Sequence, residues 1–137
     1  MLNASKGLSM TDRGVLLKRN GRIGFTFAFI ASGIAHFLSP RLFIALIPKR
    51  VPGRPFLVYI SGLVELLLAV GLWQERWRKL AAQGTLALML LFLPLHVVDI
   101  FREKPIAGGR KWTAVLRLIA QFGLIALAKE MTTDKIT

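Results

Sequence analysis

Residues Pro55–Trp73, PFLVYISGLVELLLAVGLW, form a run of 19 residues that carries a single charge, Glu65. Coiled as a helix at roughly 1.5 Å per residue, the run reaches about 29 Å, close to the roughly 30 Å of a bilayer's hydrocarbon core. Three other runs resemble it: Ile23 to Ser39, Leu80 to Val98 and Trp112 to Ala128. A chain in hydrocarbon must satisfy its own backbone hydrogen bonds, so runs of this length and composition predict helices. The expected fold is an all-α membrane protein, a bundle of four transmembrane helices. Residues 1–22 are expected to be a basic leader, 23–128 the membrane domain and 129–137 a short polar tail.

The rest of the composition agrees. The chain has 137 residues, is 54% hydrophobic and carries a net charge of +12. Such basicity suits nucleic acid or a membrane surface, and the placement of the charges separates the two. Of the 19 Lys and Arg residues, 18 lie outside the four runs, Arg117 being the exception. That pattern excludes a nucleic-acid face and leaves the lipid bilayer as the partner. Zero cysteines exclude disulfides, thiolate metal sites and dithiol chemistry carried by this chain.

Four crossings place both termini on one side. That side holds ten Lys and Arg against eight on the other, and the cluster ahead of the first helix adds weight, so both termini are expected in the cytoplasm. Gln74 to Lys79 reads as a tight turn between antiparallel neighbours. Ser39 and Pro40 signal a helix start, with Ser39 as side-chain cap, and Pro40 to Ile47 is expected as a short interfacial or re-entrant half-helix. Pro48, Pro52, Gly53 and Pro55 make a stiff link after it. Asp99 to Lys111, with Pro105, Gly108 and Gly109, is the longer loop on the same side.

Polar groups inside the runs carry the chemistry, because each costs free energy in hydrocarbon and must face protein, water or a ligand. Glu65 is near the midplane. Ser61 precedes it by four residues, and Gln121 follows Arg117 by the same spacing, so each pair shares a helix face. His36 ends the first run one turn after Ser32, and His96 and Asp99 close the third. Chain direction brings His36, His96, Asp99 and Arg117 into one half of the membrane, with Glu65 and Gln121 just below. The candidate intramembrane site is therefore His36, Ser61, Glu65, Arg117 and Gln121, with His96 and Asp99 as a solvent-exposed rim. Glu65 and Arg117 are expected within about two helical turns of each other in depth, near enough for direct or water-mediated pairing. A clasp that fixes helix register is an equally ordinary role for that pair. No spacing supports a metal site, and two histidines alone make a poor case for haem. Pro94 withholds an amide and frees the carbonyl of Leu90, which predicts a kink ahead of His96. Of the aromatics, Phe25, Phe27 and Phe29 are expected as bulk facing lipid or neighbours. Ala28, Ala31, Gly33 and Ala35 would let another helix approach closely.

Several of these residues form a familiar series. Gly33, His36, Phe37 and Pro40 close the first run, Phe43, Pro48 and Pro52 follow, and Ser61-Gly62-Leu63-Val64-Glu65, Gly71-Leu72, Pro94, Arg117 and Gln121 complete it. From about residue 23 to 128 the chain resembles the DoxX-like family of small four-helix membrane proteins. His96 departs from the pattern, since relatives more often carry Asn there. The resemblance implies a bundle in a bacterial plasma (inner) membrane, and some relatives are linked to quinone-dependent oxidation. On that footing the chain is expected to be a subunit or accessory of an oxidoreductase system, with a quinone as candidate cofactor and a redox protein or another membrane subunit as partner. The same polar cluster equally fits a non-enzymatic binder or transporter of a lipid or small hydrophobic molecule, or a structural subunit. No flavin, nicotinamide or phosphate-loop motif appears, so any electrons come from a quinone or a partner, and whether the chain is an enzyme stays open.

Overall fold

The computed structural model describes residues 9–101 and 111–133. Five helices follow one another: α1 (Met10–Leu38), α2 (Pro40–Ile44), α3 (Arg54–Trp73), α4 (Arg78–Ile100) and α5 (Lys111–Thr132). Among the described residues α1, α3 and α4 are each long and apolar enough to cross a membrane. The tight turn at residues 74–77 makes α3 and α4 antiparallel neighbours. The chief packing pairs are α1 with α3 and α4 with α5; α3 with α4 joins them, and a thin α1–α5 seam closes the ring. We call the two ends the α2 end and the opposite end.

The helix ends follow from local sequence. Ser9 caps α1 in a capping box with Asp12, each side chain accepting the other's backbone amide. Residues 10–22, expected as a separate leader, are thus the first turns of α1; Lys6 and the rest of residues 1–8 lie outside the described residues. Ser9→Ala is expected to cost about 1 kcal/mol of local helix stability, seen as faster amide exchange at residues 10–13. Unchanged exchange there would mean that packing, not the cap, holds this end. Ser39 joins α1 to α2 without capping through its side chain. Its own carbonyl accepts the Leu42 amide at 3.2 Å, which does the side chain's expected work. Gly53 starts α3 at a φ of 66°, a conformation that suits glycine. Pro55 falls inside the first turn of α3, not in the link before it. α4 runs through Pro94 to Ile100. The rest of the longer loop, with Pro105, Gly108 and Gly109, lies outside the described residues, as does the tail beyond Thr133.

The interior mixes small and polar residues with a few large apolar ones such as Phe25, Phe29 and Leu72, while many of the large apolar side chains lie on the exterior. Ala69, Ala81, Ala82, Ala114 and Ala128 are buried, together with Thr26, Thr85, Glu65, Asp99 and Gln121. Facing outward are Phe27 at 63%, Leu67 at 63% and Leu91 at 69% exposure. Water would penalise such an arrangement, and lipid favours it, because helices in lipid associate through close packing of small residues. Trp73 and Trp77 stand exposed at the opposite end, and Trp112 at the α2 end, a placement that suits amphipathic indole rings at a membrane interface. Phe25 and Phe29 turn inward with ring centroids 5.6 Å apart, whereas Phe27 faces out. Of the small residues in α1, Gly33 makes the close approach: a Cβ there would stand 2.9 Å from the carbonyl oxygen of Gly62. Ala28 and Ala31 are exposed. Buried hydroxyls are satisfied within their own helices, Thr85 donating to Ala81 O at 2.8 Å and Thr26 to Arg22 O at 2.9 Å.

Candidate functional site

The Gly33–Gly62 crossing sets the geometry of the site. With no side chain at either position the α1 and α3 backbones touch, and the next turns carry His36 and Glu65 into the same space. The His36 and Glu65 residues are 5% and 3% exposed. His36 Nδ1 lies 2.8 Å from the Ser32 carbonyl oxygen and 3.7 Å from Glu65 Oε2. A carbonyl only accepts, so Nδ1 carries the proton and donates it. Glu65 Oε2 has no hydrogen-bond partner among the described residues. Phe43 of α2 stacks on the imidazole, with centroids 3.6 Å apart and planes 25° from parallel. Ser61 lines the same space, its hydroxyl donating to Val58 O at 2.9 Å.

Arg117 goes elsewhere. Its guanidinium donates to Asp99 Oδ2 at 2.8 Å, and the expected Glu65–Arg117 pair does not form. The reason is helix partnership: α5 packs chiefly on α4, so the carboxylate on α4 reaches Arg117 first. Asp99 is 3% exposed, a buried residue and not the expected solvent-facing rim, because the guanidinium covers it. Gln121 Nε2 donates to Met89 O at 2.6 Å, one residue before Leu90, the carbonyl expected to lose its partner to Pro94. His96 is half-buried. Structure thus divides the predicted cluster into His36–Glu65 with Ser61, and Asp99–Arg117, while Gln121 ties α5 to α4.

Two cavities meet at Glu65. The larger, about 650 Å³, lies between α1 and α5 and extends toward the opposite end at Leu17 and Asn20. Its wall is mostly apolar, and Ser32, Glu65 and Gln121 supply polar groups at its inner end. Gly24, Ala28 and Leu124 on its flanks are exposed, so it opens sideways toward lipid. The smaller, about 250 Å³, lies under α2 and is lined by His36, Phe43, Ser61, His96 and Asp99. Ser32, Glu65 and Phe92 line both. Sequence reasoning passed over Phe92, whose aromatic side chain looks like ordinary packing, and gave Phe43 as part of the family resemblance, not as a site residue. Ser32 carried a signal, its place one turn before His36. Among the described residues no three His, Cys, Asp or Glu side chains gather closely enough to hold a metal ion.

Residues 25–132 match the family described as a domain of unknown function, DUF8561, and the chain belongs to that family. No curated protein and no solved structure matches the chain significantly.

Proposed function

We propose that this DUF8561 member, which resembles the DoxX-like proteins, is a four-crossing protein of a bacterial plasma membrane with both termini in the cytoplasm. In this reading it serves an oxidoreductase system, as subunit or accessory, by holding a quinone-like molecule in the larger cavity. The fourth crossing is α5: Leu116, Ile119 and Phe122 face outward, while Arg117 and Gln121 are engaged by α4. One observation carries the ligand reading, an apolar cavity of about 650 Å³ with a buried carboxylate and an amide at its inner end. Ligand sites of this kind pair apolar walls with few polar groups that fix orientation. A quinone fits that division, with its ring oxygens accepting from a protonated Glu65 carboxyl and from the second Nε2–H of Gln121, and its tail toward the α1–α5 opening. Bound there, a quinone would accept electrons supplied by a partner protein. The chain's own residues bind it, orient it and exclude water.

Saturable binding of a short-chain quinone to the protein in nanodiscs is expected, with Glu65→Gln weakening it about tenfold, or about 1.4 kcal/mol. Thermal unfolding of that variant is expected to match wild type. Absence of saturable quinone binding, or equal loss of folded protein in Glu65→Gln, would overturn the reading. The sideways opening of the cavity supports a second reading, a binder or transporter of a lipid or other small hydrophobic molecule. Retention of one phospholipid species by protein that ignores quinones would favour it.

A further inference from the structure

We infer that the smaller cavity is a water-filled inlet from the α2 end and that His36 passes protons between this water and Glu65. The inference goes beyond the ligand reading and does not depend on it, since the group tested is Glu65 itself.

Three observations carry it. First, Glu65 sits where two cavities meet: the larger has mostly apolar walls and opens to lipid, while the smaller, though also walled by Phe43, Ile47 and Leu95, has the greater share of polar side chains, with Ser32, Ser61, His96 and Asp99 beside the imidazole. Protons reach a buried carboxyl through polar, hydrated surroundings, so the smaller cavity is the side from which they come. Second, the His36 ring is oriented for the task. With Nδ1–H held by Ser32 O at 2.8 Å, Nε2 is left as the basic nitrogen. Third, Glu65 Oε2 is buried without a hydrogen-bond partner among the described residues and stands 3.7 Å from Nδ1. A shift of well under one ångström would bring the two into hydrogen-bond range.

The step balances. Starting from a neutral ring and a Glu65 carboxylate, hydronium in the cavity gives its proton to Nε2 and is left as water, the Nδ1–H bond breaks and an O–H bond forms on Glu65 Oε2, leaving a neutral ring protonated at Nε2 and a neutral carboxyl. The transfer is reversible and equilibrates Glu65 with water at the α2 end. Groups facing the pair come from every neighbouring helix: Ser32 of α1, Phe43 of α2, Ser61 of α3, and His96 and Asp99 of α4, with Asp99 held by Arg117 of α5. Phe43 keeps the ring in plane through its stacking contact.

The chain has no cysteine, so single cysteines report accessibility without background. In sided proteoliposomes, Ser61→Cys is expected to react with a membrane-impermeant cationic methanethiosulfonate added at the α2 end and not at the other, while outward-facing Phe122→Cys reacts from neither. Separately, infrared spectroscopy in heavy water at acid pH follows deuterium exchange of the carboxyl band that Glu65→Gln removes. His36→Phe, which retains a ring for Phe43, is expected to slow that exchange at least tenfold. A Ser61→Cys thiol that is inert from the α2 end, or exchange as fast in His36→Phe as in wild type, overturns the inference. Should His36→Phe fail to fold, the cysteine result decides alone.

Discussion

Gly62→Ala is expected to lower the thermal stability of the purified protein sharply, although it adds only a methyl group. A Cβ at Gly62 would stand 2.6 Å from the Cβ of His36 and 3.1 Å from the carbonyl oxygen of Gly33. Neither neighbour is the free end of a flexible side chain, so the α1 and α3 backbones must separate. Overpacking of this kind costs about 1–3 kcal/mol, and the separation also carries His36 away from Glu65. Gly123→Ala is the matched comparison, because a Cβ there meets nothing within 4 Å. It is expected to be neutral, or stabilising by up to about 1 kcal/mol through helix propensity. Thermal unfolding in detergent, run side by side, checks the pair. Equal stability of the two variants would mean that the Gly33–Gly62 contact does not set the helix spacing.

Arg117→Ala is expected to be the most damaging of the charge deletions. It removes the guanidinium that faces Asp99 at 2.8 Å and leaves a carboxylate whose side chain is 4% exposed. Deleting one partner of a buried pair costs about 3–5 kcal/mol, and the lower end applies because the Arg117 side chain is 31% exposed. Replacing both charges, Asp99→Asn with Arg117→Gln, is expected to recover at least half of the loss, since the buried formal charge is then removed together with its guanidinium. Unfolding midpoints of the single and double variants form the test. A double variant as unstable as Arg117→Ala would place the damage in lost packing of the arginine stem. The contrast with Glu65→Gln matters here: that variant keeps the side chain's shape, strands no charge and is expected to fold normally. The two buried carboxylates are thus expected to behave differently: Asp99 ties α4 to α5 through Arg117, whereas Glu65 lines both cavities.

How much of this was legible in the sequence varies from residue to residue. The helices over residues 23–38, 54–73 and 80–98 follow from apolar runs that no soluble surface tolerates, and α2 follows from Pro40 and the apolar residues after it. The start of α1 at Met10 was hidden, because a capping box of Ser9 and Asp12 inside a basic stretch looks like any run of solvated polar residues. His36, Glu65, Ser61 and Gln121 stood out because polar groups within apolar runs need partners. Their pairing did not stand out. Depth along the membrane placed Glu65 and Arg117 together, but depth is one coordinate of three, and rotation of each helix decides the other two.

The sequence by itself determined that this is an all-helical membrane protein, where its apolar helices run and which few polar residues they carry, because hydrocarbon forces each run to satisfy its backbone alone. Only tertiary structure decided that the backbones cross at Gly33 and Gly62, that His36 faces Glu65 and that Asp99 takes Arg117. It also decided that two cavities meet at one carboxylate. Those outcomes depend on which helix packs on which, and close packing between neighbours, not the pattern of any single run, sets that choice.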